Sequence, residues 1–344
     1  MVYDVFGRGE QIMKIGIPKA LLYYFYYPFW KTLFESLGFE VVTSDDTSKS
    51  ILDIGVKEAV AEICVPMKVY TGHVLNLLDK NVDYIYIPRF VSLRKGIFMC
   101  PKFMGLPDMI KGLFDSIEDK ILTHNIVSKS TDISEFHNYT IFIDKLGVSR
   151  KDLKNALKKA RDKWLEFRTL NKQGYDINEL LASDKPKKYD GDITIGLIGY
   201  VYNVYDRFVN MDLLNVFRKL NIKVVTFDMM EEKVIQRQLK KFKKNMFWEF
   251  TNMLLGTAYE FMERDDIDGI VHITAFGCGP DSILEPFLII DSEKYKKPFM
   301  TLRIDEQTGE SHIITRVEAF TDLIKLKKHK DSVIAEEKSK EGVI

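Results

Sequence analysis

Cysteine is scarce, with three residues in 344 (Cys64, Cys100 and Cys278), odd in number and far apart. That spacing excludes the disulfide framework of a small secreted protein and leaves thiols that are buried, reactive or metal-bound. No C-x-x-C pair occurs, so a closed zinc site is not expected either. Excess charge is missing too, because 50 Lys and Arg balance 50 Asp and Glu. A chain without net charge lacks the electrostatic footprint of a nucleic-acid or anionic-membrane partner, and neither is expected. No run reaches the ~18 uncharged apolar residues of a membrane span. Asp4, Arg8 and Glu10 stand where a signal peptide would be apolar, so the expected location is cytoplasmic. Neither a P-loop nor a G-x-G-x-x-G turn is present, so the chain carries no legible nucleotide fold of its own.

What is present is apolar periodicity sufficient for two cores. The run Lys14-Ile-Gly-Ile-Pro18 reads as a strand, Ala20 to Leu37 as a helix and Phe39-Glu-Val-Val-Thr43 as a second strand. The unit recurs: Ile15-Gly-Ile17 matches Ile195-Gly-Leu197, and Leu37-Gly-Phe-Glu-Val-Val-Thr43 matches Leu220-Asn-Ile-Lys-Val-Val-Thr226. Helices are expected at Lys49 to Cys64, Met67 to Leu78, Met211 to Leu220 and in the stretch ending at Met262. Further strands are expected at Asp83 to Pro88, Gly269 to Phe276 and Pro298 to Ile304. Strands alternating with helices give an α/β class with parallel sheets covered on both faces. The expected spans are a first domain 1–149 holding Cys64 and Cys100, a helical connector and linker 150–191, a second domain 192–324 holding Cys278, and a charged tail 325–344.

Each cysteine occupies the end of an expected element and has a proline within two residues (Pro66, Pro101, Pro280), although the chain holds only 10 prolines. Proline fixes the backbone of a turn and removes a competing donor, which suits a loop that aims a thiol at a metal. In open α/β sheets ligands bind beyond the carboxyl ends of strands, where Cys100 and Cys278 are expected. Inert core thiols are the plain alternative. Other candidates are distributed around the same ends. Asp305, Glu306 and Glu310 follow a strand and could transfer protons or cap a loop, with Arg316 and Glu318 opening the next helix. Lys19, Lys68, Arg89 and Lys102 could neutralise an anion or be surface charges. Tyr202 and Asn203 follow the Gly199 turn, which could cradle a phosphate. The six histidines show no ligand spacing, and His272 reads as a strand histidine.

In combination the local sequences narrow this. Lys14 to Tyr24, Glu62-Ile-Cys-Val-Pro-Met-Lys-Val-Tyr-Thr-Gly-His73, Cys100 to Asp108, Tyr202 to Asp206, Phe276-Gly-Cys-Gly-Pro-Asp-Ser282 and Ile304 to Glu310 resemble the acyl-CoA dehydratase activase-related proteins. These are relatives of the D-component of 2-hydroxyglutaryl-CoA dehydratase and of benzoyl-CoA reductase subunits. The resemblance implies two flavodoxin- or Rossmann-like domains with a cubane 4Fe–4S cluster in the interdomain cleft, ligated by Cys64, Cys100 and Cys278. Three thiols leave the fourth ligand unassigned, and an open iron permits Lewis-acid chemistry. The resemblance further implies a low-potential electron supplied by an ATP-hydrolysing activase on a separate chain, a homologous second subunit or homodimer, and an acyl-CoA-type substrate. Glu306 and Asp305 are then the candidate catalytic residues, and Lys19, Arg89, Lys102, Tyr202 and Asn203 the candidate substrate-binding ones. Two other readings stand beside it: a non-catalytic electron carrier or cluster-bearing subunit, and a two-domain ligand-binding protein with inert thiols.

Overall fold

The two matched Ile-Gly motifs each become the first strand of a parallel sheet. The computed structural model describes residues 12–114 and 117–341, with side chains as far as 330. Asp4, Arg8 and Glu10 lie outside the described residues, as does the end of the charged tail, 342–344. The chain divides into two units, Met1–Ala61 with Met67–Arg168 and Glu62–Pro66 with Thr169–Ile344.

In the first unit β1 (Lys14–Ile17) leads into α1 (Tyr23–Ser36), and β2 (Glu40–Thr43) returns beside β1. Ser48 starts α2 (Lys49–Glu58) by accepting the Ile51 amide on its hydroxyl. Then come α3 (Val65–Asp79), β3 (Tyr84–Tyr86), β4 (Arg89–Ser92), α4 (Pro101–Met104), α5 (Leu106–Leu113), β5 (Ile121–Leu122), β6 (Asn125–Val127) and α6 (Ile141–Leu146). The sheet order is β2-β1-β3-β5, all parallel, and β4 and β6 form a separate parallel pair. The aromatic run of α1 is core: Phe25, Tyr26, Phe29, Trp30 and Phe34 are buried. Their rings bury large apolar surfaces in the core of the unit. The following α7 (Arg150–Lys172), read from sequence as a connector, buries Leu153, Leu157, Ala160 and Trp164 along one stripe. Trp164 Nε1 donates to the Phe25 carbonyl, 2.9 Å.

The second unit adds α8 (Ile177–Ala182), β7 (Ile193–Ile198), α9 (Val201–Tyr205), α10 (Leu213–Lys219), β8 (Ile222–Thr226), α11 (Glu232–Leu239) and α12 (Glu249–Glu263). It ends with β9 (Gly269–Ala275), α13 (Gly279–Lys294), β10 (Phe299–Ile304) and α14 (Glu310–Glu341). Its sheet order is β10-β9-β7-β8, again all parallel. Every residue of β9 is buried, as a central strand covered on both faces must be.

The repeat holds at the level of register. Ile15, Gly16 and Ile17 pair with Val41, Val42 and Thr43, and Ile195, Gly196 and Leu197 pair with Val224, Val225 and Thr226. The shared glycine is a packing requirement of different severity in the two copies. A Cβ on Gly196 would lie 2.3 Å from the ring of Phe261, which is fully buried, whereas one on Gly16 would lie 3.1 Å from a methyl of Val82. Gly196→Ala should therefore cost about 3 kcal/mol and Gly16→Ala about 1 kcal/mol by urea denaturation, and equal costs would contradict this packing difference.

Three expectations need correction. The helix beginning at Lys49 stops at Glu58 instead of reaching Cys64, because Ala59 is extended (φ −78°, ψ 161°) and the chain must turn back for α3 to cross α2. Cys64 therefore precedes a helix rather than ending one. The strand expected at Asp83 to Pro88 shortens to Tyr84–Tyr86, and β4 follows it in a different sheet. Finally, α14 starts at Glu310, so Arg316 and Glu318 lie beyond its first turn.

Candidate functional site

In the second unit, β9 ends at Ala275 and the chain turns through Phe276 and Gly277 to Cys278, the residue that begins α13. Gly277 has φ +74°, a left-handed conformation that glycine adopts without a Cβ penalty. That turn delivers the thiol to the first turn of a long helix. The Cys278 amide donates back to Ala275 O (3.1 Å), and its carbonyl accepts from the Ser282 amide (3.0 Å) and hydroxyl (2.8 Å). β7 and β9 are the strands between which the sheet order reverses, so Cys278 stands at the topological switch point.

Cys100 is built in the same way in the first unit. A closed loop follows β4, in which Ser92 Oγ donates to Arg94 O and Ile97 O (2.6 and 2.8 Å) and the Met99 amide donates to Val91 O (3.0 Å). Cys100 then begins α4, its carbonyl accepting from the Phe103 amide (2.8 Å). Cys64 directly precedes α3, in the segment Glu62–Pro66 that belongs to the second unit. The prolines acquire a common meaning: Pro66, Pro101 and Pro280 are each the first or second residue of the helix that the cysteine precedes. Sequence reading placed the thiols at element ends but missed that all three are helix starts. The X-Pro signal at the first helical turn was available to find it. Helix starts carry partial positive charge, which favours a negatively charged group bound there.

The basic candidates separate. Arg89 is committed to Asp108 through two hydrogen bonds of 2.7 Å and also donates to the Met104 carbonyl, so it braces the segment after Cys100 against β4. That pairing raises the Arg89 pKa and holds the Asp108 carboxyl below the usual carboxylate range. Lys19 pairs with Asp46, and its amide donates to Ser44 Oγ (2.8 Å). Lys102 is half-buried on α4, and Lys68 is buried on α3. Also on α3, His73 is bonded to both Ser44 Oγ (2.8 Å) and Thr47 Oγ1 (2.9 Å). Burial, with the charge of Lys19, pushes its pKa down to about 3.

Around the second sheet, Tyr202 stacks on Tyr200 with ring centroids 5.4 Å apart. Asn203 is fully buried with neither amide atom hydrogen-bonded. Asp305 closes the turn after β10, its Oδ1 accepting from the Gln307 amide (2.9 Å) and Thr308 Oγ1 (2.8 Å). Glu306 is exposed on that turn. Cys278, Tyr202, Asn203, Asp305 and Glu306 thus gather at the carboxyl ends of β9, β7 and β10. A cleft of about 390 Å³ opens beside Cys278, the one of these five in its lining, together with Thr274, Asp281, Glu285 and Arg303 among others.

None of the three cysteines is in a disulfide, Cys64 being buried and the other two partly exposed. In kind this donor set suits an iron–sulfur cluster, which takes thiolate ligands. Among the described residues no group of three or more His, Cys, Asp and Glu side chains gathers as a metal-binding set. Nor is any described helix long and apolar enough to cross a membrane.

All-parallel sheets with the candidate residues at the carboxyl strand ends define an α/β protein of Rossmann or flavodoxin type. Over residues 14–230 the sequence matches the family described as CoA enzyme activase uncharacterised domain, and the chain belongs to that activase-related family. The matched region includes Cys64 and Cys100, and Cys278 lies beyond it. No curated protein matches the chain.

Proposed function

We propose that the chain is the iron–sulfur component of an activase-dependent system acting on an acyl-CoA-type substrate, resembling the D-component of 2-hydroxyacyl-CoA dehydratases. In this reading Cys64, Cys100 and Cys278 ligate one 4Fe–4S cluster, and an ATP-hydrolysing activase on a separate chain is the electron source. Such a cluster supplies low-potential electrons one at a time and, at an iron without a protein thiol, a Lewis-acid position. The chain's own residues hold and tune it. Each thiol comes from the start of a helix, where the peptide dipoles offset the negative charge of a thiolate-bound cluster. Arg89, through Asp108 and the Met104 carbonyl, keeps the Cys100 segment in place. Glu306, exposed after β10, is available to a substrate as a proton-handling group, and Asp305 holds the turn that presents it.

The observation that carries this reading is the threefold recurrence of a cysteine outside any disulfide at a proline-marked helix start, in a chain of an activase-related CoA enzyme family. Protein isolated without oxygen should be brown and contain about four irons and four sulfides per chain. Cys278→Ala should abolish the iron while leaving the circular dichroism unchanged. Colourless protein whose three native thiols all react freely with an alkylating agent would sink the proposal.

A further inference from the structure

β9 is apolar on either side of one residue: Ile270, Val271 and Ile273 are buried, and so is His272, with no exposed surface at all. Neither ring nitrogen of His272 has a hydrogen-bond partner. Its Nε2 faces Asp281 Oδ2 at 3.6 Å, a short side-chain movement from hydrogen-bond contact. Asp281 is 1% exposed. Its Oδ2 accepts from Thr274 Oγ1 (2.5 Å), and its Oδ1 has no partner. Thr274 stands two residues from His272 and therefore on the same face of the strand.

Asp281 lies in the first turn of α13, where a carboxylate ordinarily caps backbone amides. Here its hydrogen bond goes to a strand hydroxyl instead. Burying an acid and an imidazole without full hydrogen bonding is costly, and a native structure that retains such a pair calls for a use. Asp281 is also among the residues that line the cleft with Cys278, Glu285 and Arg303. Those last two are engaged with each other, Arg303 donating to Glu285, and Asp281 is the cleft carboxyl that keeps a buried oxygen without a partner.

We infer that Asp281 and His272 form a proton relay opening on the cleft beside Cys278, with Asp281 as the group that meets the ligand and His272 acting through it. One proton leaves an O–H or N–H donor in the cleft for the Asp281 carboxylate, the resulting carboxyl turns its O–H toward His272, and that same proton passes to His272 Nε2. The carboxylate is restored, the imidazole becomes the cation beside it, the donor is left one proton poorer, and no electron moves. The inference deepens the proposed function by assigning a proton acceptor to the Cys278 cleft. The ligand class it selects is one presenting a hydrogen-bond donor that can lose a proton.

The relay is read directly from hydrogen exchange in the full-length chain carrying 15N-histidine, in which six imidazoles are labelled. A relay lets the His272 ring N–H exchange with water in the native state, about 100-fold faster than the β9 amides around it, which open only with the sheet. Asp281→Asn, which keeps the shape but not the proton acceptor, should slow that exchange at least about tenfold, while Cys278→Ala leaves it unchanged. His272 exchange as slow as the β9 amides in the unmodified protein, or insensitive to Asp281→Asn, overturns the relay. The readout needs no iron, so a colourless protein with rapid His272 exchange refutes the cluster and keeps the relay. A brown protein with a protected His272 does the reverse.

Discussion

Gly72→Ala should destabilise the first unit by about 4 kcal/mol or more, at the extreme of what one methyl group does. A Cβ at this position on α3 would lie 2.0 Å from the carbonyl oxygen of Ile51 on α2. The reciprocal clash is as severe: a Cβ on Gly55 of α2 would lie 1.9 Å from the carbonyl oxygen of Lys68. Both obstacles are backbone, which cannot rotate away as a side chain can, so either alanine must push the helices apart and open the core beneath them. Gly112 supplies the control. It sits in α5 with nothing within 4 Å of an added Cβ, so Gly112→Ala should be neutral or stabilising by about 0.5–1 kcal/mol through helix propensity. Chemical denaturation of the three variants decides the point, and a Gly72→Ala cost below about 1 kcal/mol would show that the two helices are not locked at this crossing.

The helix crossing also marks where sequence reading stops. The β-α-β repeat was legible to the register, because a strand with the pattern Ile-Gly-Ile answers to a local period and its partner strand follows one helix later. Gly55 and Gly72 carry no such signal. Glycine in a helix reads as a weak position, and only the approach of another backbone converts it into a requirement. The strands β4, β5 and β6 are not legible in the sequence, since β4 follows β3 after only two residues and β5 and β6 are two and three residues long. At the site, the cysteines and the ends they occupy were readable from Pro66, Pro101 and Pro280. Nothing in the Phe276 to Ser282 run singles out Asp281, and His272 reads as a strand histidine. The pairing of the two depends on α13 packing over β9, and no local pattern reports that. Asp305 is the more legible carboxylate, and it closes the turn after β10.

Acid should unfold the first unit well above the pH at which its paired carboxylates titrate. His73 and His124 are both deeply buried, and burial lowers their pKa values from 6.5 to about 3 and about 4. Both are held neutral by contacts that a protonated ring disturbs. His73 is bonded to two hydroxyls, and His124 is bonded to Tyr86 OH (2.8 Å) and packed against the rings of Tyr139 and Phe142. A folded-state pKa below the unfolded one means that the unfolded chain binds more protons. The stabilisation is therefore full above about pH 6.5 and is lost as pH falls toward 4 and then 3. With both rings titrating only when unfolded, stability should fall by up to about 2.7 kcal/mol per pH unit between pH 6 and 4.5. The cumulative loss from pH 7 to pH 4.5 is about 5 kcal/mol, comparable with the whole stability of many domains. Asp45 and Asp108, held below the ordinary carboxylate value by Lys80 and Arg89, lose their contribution only at lower pH, so the two windows separate. Denaturation midpoints measured across this range should show the steep fall, and His124→Gln should reduce the slope by about half. A first unit whose stability is flat from pH 6.5 to 4.5 would mean that the two imidazoles meet solvent protons without unfolding.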